Sequence, residues 1–183
     1  MNRLIPIILL FFTVSIGAQG KYLTKTGTVT FEASVPSFEE VKATNNNTTA
    51  IINTKNGEFA ALVLVKGFRF KNALMEEHFN ENYAESDQYP KATFKGDISG
   101  FSLDKVSNSN TKMTYNGSLT FHGKTKALNG ETLNVSKGSD NNLIISGELK
   151  LNVADFDIEI PKIVSNKLSR EVSVIYEFQL NKK

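Results

Sequence analysis

The side chains that could carry chemistry are few, and the densest group surrounds His78, with Glu76, Glu77, Glu81 and Tyr83 close by in sequence. An imidazole beside carboxylates and a phenol is the raw material of acid–base catalysis, with His78, Glu81 and Tyr83 as acid, base or orienting groups. Residues spaced i and i+4 on one helix do not of themselves assemble a nucleophile, a base and an oxyanion hole, so His78 reads as a packing histidine. His122 stands beside Gly123 in a tight hairpin, with no acid at ligand spacing. It reads as structural, its imidazole making a local hydrogen bond. Two isolated histidines do not supply the three or four convergent ligands of a zinc site, and no metal is expected, although carboxylate-rich calcium sites stay open. The chain contains no Cys. It therefore has no disulfide framework, no thiolate nucleophile and no lipid attached through an N-terminal cysteine.

Aromatic surface is what this chain has in quantity, with 13 Phe and no Trp. Its placement follows from the elements that carry it. Residues 28–35 alternate Val29, Phe31 and Ala33 against Thr28, Thr30 and Glu32, the period of a half-buried strand that Pro36 ends. Residues 42–49 include three consecutive Asn and read as a surface loop ahead of the apolar stretch 50–54. Asn56-Gly57 is a hairpin signal. Beyond it, residues 58–70 are apolar almost without alternation, which predicts one strand covered on both faces. The cover is expected from the one convincing helix: Asn72 can cap it, Glu76 and Glu77 sit near its positive end, and Leu74, Met75, His78, Phe79 and Tyr83 form a stripe. Pro90 then forces extended backbone, and Ala92, Phe94 and Gly96 begin a new strand. Tyr115, Gly117, Leu119 and Phe121 share a face before His122-Gly123 turns the chain into 126–135. After a turn at 136–142, residues 143–153 and 172–180 alternate cleanly. The sum is an all-β fold of about eight antiparallel strands, the size at which a closed barrel is either filled by its own side chains or holds one small ligand.

At the N-terminus, Arg3 precedes an apolar run over 4–12, and Ser15, Gly17, Ala18 and Gly20 follow. That is the pattern of a secretory signal peptide over residues 1–18, with cleavage after Ala18 or after Gly20, and it is too short for a bilayer-spanning helix. Export without disulfides implies a bacterial cell envelope, periplasmic or secreted. No integral membrane segment is expected in the mature chain, residues 21–183 of which form one domain. Without Arg3, 20 basic residues face 19 acidic ones, interspersed along the chain, which excludes a nucleic-acid partner. The polar faces carrying Glu148, Lys150, Asn152, Glu177 and Gln179 argue against a lipid-facing outer-membrane barrel. The sequons at Asn47, Asn116 and Asn134 read as accidental in such a compartment.

Three stretches, His78-Phe79-Asn80 through Tyr89-Pro90-Lys91-Ala92-Thr93-Phe94, the hairpin from Gly117-Ser118-Leu119-Thr120-Phe121 through His122-Gly123-Lys124-Thr125-Lys126, and Asp155-Phe156-Asp157-Ile158 with Ile160-Pro161, together resemble the YceI-like family of exported lipid-binding barrels. The resemblance implies an eight-stranded antiparallel lipocalin-like β-barrel with one helix packed alongside, whose apolar tunnel takes an isoprenoid chain such as a quinone or polyprenyl lipid. Many members carry an Arg-Asp pair after the long strand, where this chain has Asn72-Ala73-Leu74-Met75-Glu76-Glu77. On this reading Phe59, Val63, Phe94, Phe121, Tyr176 and Phe178 line the tunnel, with Phe68, Phe70, Met75, Phe79 and Tyr83 near its mouth. The expected function is an exported binding protein with no catalytic residue and no cofactor beyond a bound isoprenoid or quinone. The alternatives are a lipid-modifying enzyme using His78, Glu81 and Tyr83, and a filled barrel that acts through surface protein contacts. Whether two barrels associate as a homodimer stays open.

Overall fold

A strand that alternates apolar and polar side chains has one face to bury, and a sheet of such strands buries all of those faces at once by closing on itself. The computed structural model describes residues 20–183; the segment read as a signal peptide lies outside them, apart from its second cleavage position. Nine strands follow one another: β1 (Lys21–Ser34), β2 (Lys42–Asn53), β3 (Glu58–Leu64), β4 (Arg69–Phe70), β5 (Lys91–Ile98), β6 (Thr111–Phe121), β7 (Lys124–Lys137), β8 (Leu143–Asn152) and β9 (Leu168–Lys182). A short helix, α1 (Ala73–His78), lies between β4 and β5. The eight long strands run in the order β1-β9-β8-β7-β6-β5-β3-β2, and β2 returns to β1, so the antiparallel barrel is closed. The two-residue β4 adds to the free stretch of β2. No helix among the described residues is long and apolar enough to cross a membrane.

The two ends of the barrel are built differently. At the end holding the Asn56-Gly57 turn, Ile52, Ile98, Leu133, Val135, Leu143, Ile145 and Leu180 are almost fully buried and pack into a solid layer. The opposite end gathers the segments 35–41, 65–90, 122–123 and 153–167. Four of the five exposed large hydrophobic side chains among the described residues, Phe38, Leu64, Leu74 and Ile163, lie there.

Four expectations need correction. β1 starts at Lys21, well before residue 28, because its first half pairs with the far end of β2. Residues 42–49 are no loop but half of β2, which pairs with β1 from Lys21↔Asn53 to Glu32↔Lys42. Several of its polar side chains find partners on β1: Thr44 and Thr30 share a hydroxyl hydrogen bond of 2.9 Å, and the Thr28 hydroxyl donates to Asn46, while the buried Thr48 hydroxyl has none. Residues 58–70 are not one strand. β3 stops at Leu64, a 3₁₀ turn covers Val65–Gly67, and β4 resumes on β2 at Thr44↔Arg69. The helix docks chiefly on β4 at the open end rather than over the outer face of β3, and Leu64 on that face stays 52% exposed.

The break between β3 and β4 leaves backbone groups of β2 and Leu64 without ladder partners, and Asn45 supplies them. Its side chain is 1% exposed. Its Nδ2 donates to the Leu64 carbonyl at 2.9 Å, and its Oδ1 accepts from the Asn47 amide at 2.8 Å. Asn45→Ala leaves both groups unsatisfied in a buried setting and is expected to lower stability by about 1–3 kcal/mol. Urea denaturation of the variant against the parent measures it.

Candidate functional site

Above the packed layer the barrel is hollow. The cavity has a volume of about 600 Å³ and an overwhelmingly apolar lining, within the size range of small-molecule pockets. All eleven residues expected to face a tunnel or its mouth line it: Phe59, Val63, Phe68, Phe70, Met75, Phe79, Tyr83, Phe94, Phe121, Tyr176 and Phe178.

Its floor is a chain of aromatic rings resting directly on the packed layer, since Phe59 pairs with Ile52, Tyr115 with Ile98 and Phe178 with Ile145 across neighbouring strands. Ring centroids run from Tyr115 to Phe94 at 5.5 Å, Phe94 to Phe59 at 5.6 Å, Phe59 to Phe178 at 5.9 Å and Phe178 to Tyr176 at 5.5 Å. The phenols of Tyr115 and Tyr176 close the circuit. Burial pushes the Tyr115 phenol above its ordinary pKa. Burial, and then the neighbouring Tyr115 phenol, raises that of Tyr176.

These rings lie flat because glycines leave room for them. A Cβ on Gly117 would collide with the Phe94 ring, one on Gly147 with the Tyr176 phenol, and one on Gly27 with Phe178. A ring laid over a glycine of the next strand covers the wall instead of crossing the lumen.

A second aromatic group narrows the mouth. Phe79, just past α1, sits 5.1 Å from Phe31, 5.8 Å from Phe68 and 5.3 Å from Phe70, measured between centroids. The element that delivers Phe79 is shorter than a full amphipathic helix: six α-helical residues, then a single π-helical turn over Phe79–Tyr83. Asn72 caps it as expected, its side chain accepting from the Leu74 amide at 2.9 Å. Glu76 does more than meet the helix dipole, since its carboxylate accepts from Arg69 at 2.9 Å and from the Phe70 amide at 3.2 Å. Helix and β4 are thereby locked to each other.

His78 and Tyr83 reach the cavity, but Glu81 is exposed outside it, so the three groups offered for acid–base work do not converge. His78 itself is exposed at the rim and is not a packing histidine, because the helix turns that side outward. Glu39 and Lys167 join it in the lining, as one carboxylate and one amine.

His122 is structural, but not through a local bond. Its Nδ1 faces the Phe156 carbonyl at 2.8 Å, its Nε2 faces the Glu85 carboxylate at 2.7 Å, and Tyr89 packs edge-on at 4.7 Å. The acid absent from its sequence neighbourhood comes from 37 residues away. Both His122 and Gly123 have positive φ, 47° and 72°, the requirement of a two-residue type I′ hairpin. An uncommon backbone conformation for a non-glycine residue is thus held by ring contacts to two other segments.

The wall extends beyond the eleven residues named for it. Leu149 and Leu151 of β8, Val172 and Val174 of β9, Leu119 and Leu128 also face the cavity. So do Val153, Phe156, Ile158, Ile160 and Val164 in the connection between β8 and β9. The alternation of Phe156, Ile158 and Ile160 with Asp155, Asp157 and Glu159 was the available signal.

A family model described as the YceI-like domain matches residues 21–180 of the chain. No curated protein sequence matches it. Among solved structures, a polyisoprenoid binding domain from Saccharophagus degradans implicated in plant cell wall breakdown superposes with a TM-score of 0.77 at 16% identity, covering 90% of this chain and 99% of that one. BcnA from Burkholderia cenocepacia gives 0.65 at 16% identity, with coverage of 84% and 94%. The YceI protein of Campylobacter jejuni gives 0.60 at 19% identity, with coverage of 81% and 89%. At these identities the structural likeness establishes the fold.

The floor makes a pH prediction. A phenol whose pKa is higher in the folded than in the unfolded chain keeps its proton in the fold and gives it up on unfolding. The stability it contributes is intact below about pH 10 and declines as pH rises past that ordinary tyrosine value. Urea midpoints measured across alkaline pH are expected to fall, and the fall should be shallower in a Tyr115→Phe/Tyr176→Phe variant.

Proposed function

The chain belongs to the YceI-like domain family, and on that premise we propose that it is an exported binding protein holding an isoprenoid-type or other amphiphilic lipid in the barrel, and not an enzyme. The observation that carries the proposal is the apolar cavity of about 600 Å³, sealed below by packed aliphatic side chains and floored by aromatic rings. The name of the Saccharophagus degradans domain, a polyisoprenoid binder sharing this fold, supports the same ligand class. The apolar run and small residues of the N-terminal sequence support export.

Energetically the cavity needs no chemistry to hold such a ligand. Apolar surface leaving water contributes roughly 25 cal/mol per Å², so a chain hiding on the order of 300 Å² gains roughly 7 kcal/mol before the costs of immobilisation. Branched isoprenoid chains meet the flat Phe and Tyr faces well, and the polar end stays at the rim with Glu39, His78 and Lys167.

Native mass spectrometry of gently purified mature protein, followed by solvent extraction, tests the reading. A stoichiometric isoprenoid or other lipid is expected, on a chain whose mass begins at Gln19 or Lys21. Bare protein that also takes up no added isoprenoid would sink it. A filled cavity provides the control: Val174 lines the hollow half from β9, and Val174→Trp is expected to leave a folded barrel that no longer binds the lipid its parent binds.

A further inference from the structure

β7 and β8 are neighbours in the barrel, yet they pair only from Asn134↔Ser146 to Lys137↔Leu143. Each is paired along its other side, β7 with β6 from Thr111↔Val135 to Phe121↔Lys124, and β8 with β9 from Leu143↔Leu180 to Asn152↔Glu171. The edges of residues 124–133 and 147–152 therefore face each other without a ladder. Gly130 lies within the unpaired edge of β7. With φ at 70° it forms a bulge where the β6–β7 register shifts between Tyr115 and Asn116, and its amide donates to Asn116 Oδ1 at 2.8 Å. A bulge bends its strand, and above this one β7 follows β6 away from β8.

The parting lies between the outer surface and the cavity. On the outside it is a crevice lined by Glu131, Glu148, Leu149 and Lys150. Leu149 also lines the interior cavity, so one residue of the wall borders both spaces. Inside, the Tyr176 phenol lies against Gly147 on the same edge. The seam is bounded below by the ladder and above by ion pairs of Lys126 with Asp155 and Lys124 with Asp157.

We propose that this seam is a second, lateral opening of the cavity, through which the flexible chain of an amphiphile passes the barrel wall. The inference rests on the lipid-binding reading above. The packed layer seals the lower end, and the Phe31, Phe68, Phe70 and Phe79 rings narrow the mouth. Widening the wall between laddered strands breaks backbone hydrogen bonds, whereas between residues 124–133 and 147–152 there is no ladder to break, and a rotamer change of Leu149 clears the gap. The chemistry suits a linear hydrocarbon with one polar end, with aliphatic and phenolic surface within and Glu131, Glu148 and Lys150 at the outer lip.

The chain has no Cys, so an Asn129→Cys/Lys150→Cys pair, at exposed positions on either edge, can be joined by a thiol-reactive crosslinker with a reducible spacer. Retinol serves as the probe, its fluorescence followed by stopped flow. Crosslinking is expected to slow uptake and release by about tenfold or more with little change in affinity, as for a gated opening, and reductant should restore both rates. Unchanged rates overturn the lateral opening and leave the binding reading standing. Failure of the uncrosslinked protein to bind retinol overturns the binding reading, and the opening with it. Leu149→Ala needs no crosslink: it widens the gap, so release faster than in the parent is expected, and release no faster overturns the proposal too.

Discussion

An eight-stranded barrel has barely enough girth for the side chains that point inward, so a hollow one exists only if something keeps those side chains off its axis. Here that constraint is met by aromatic rings laid over glycines. Phe94 rests where a Cβ of Gly117 would be, Tyr176 where one of Gly147 would be, and Phe178 where one of Gly27 would be. Each ring trades a central position for contact with the wall, and the rings touch one another as a continuous floor. Below them branched aliphatics, Ile52, Ile98, Val135, Leu143 and Ile145, fill the same girth completely. One fold thus supplies rigidity at one end and capacity at the other. The floor's neutral phenols belong to the same arrangement, because a charge there would lack water and a counter-ion.

The open end depends on tertiary ties of another kind. Strands leave the barrel there as bent or interrupted segments, and polar side chains hold what the ladder no longer can. Asn45 bridges the break after β3, Glu76 fastens the helix to β4, and His122 joins the β6–β7 turn to Glu85 and to the Phe156 carbonyl. Lys124 and Lys126 pair with Asp157 and Asp155 on the same connection. Exposed ion pairs contribute little stability singly; their part is to fix where the 153–167 segment, with Phe156 and Ile160, meets the cavity. Regions held by few buried contacts open locally before the rest of a fold does. The rim and the unpaired seam are therefore where this barrel yields first, and the packed layer is where it resists.

Much of the architecture was readable residue by residue. Period-two alternation in 143–153 and 172–180 marked strands with one buried face, and Asn56-Gly57 and His122-Gly123 marked turns, because these signals are local: a strand's pleat and a turn's φ depend on the residues that form them. The same alternation marked Phe94, Phe121, Tyr176 and Phe178 as facing inward, and the cavity lies where those faces meet. What the linear pattern could not convey depended on partners distant in the chain. The Asn-rich stretch 42–49 is a strand because β1 and Asn45's own hydrogen bonds satisfy it, the apolar run 58–70 breaks because β4 must reach back to β2, and His122 finds its acid at Glu85. Above all, alternation says which side chains point inward but not whether they meet in the middle. That was settled by the packing of each ring against a glycine on a neighbouring strand, a relation between residues tens of positions apart that exists only once the barrel has closed.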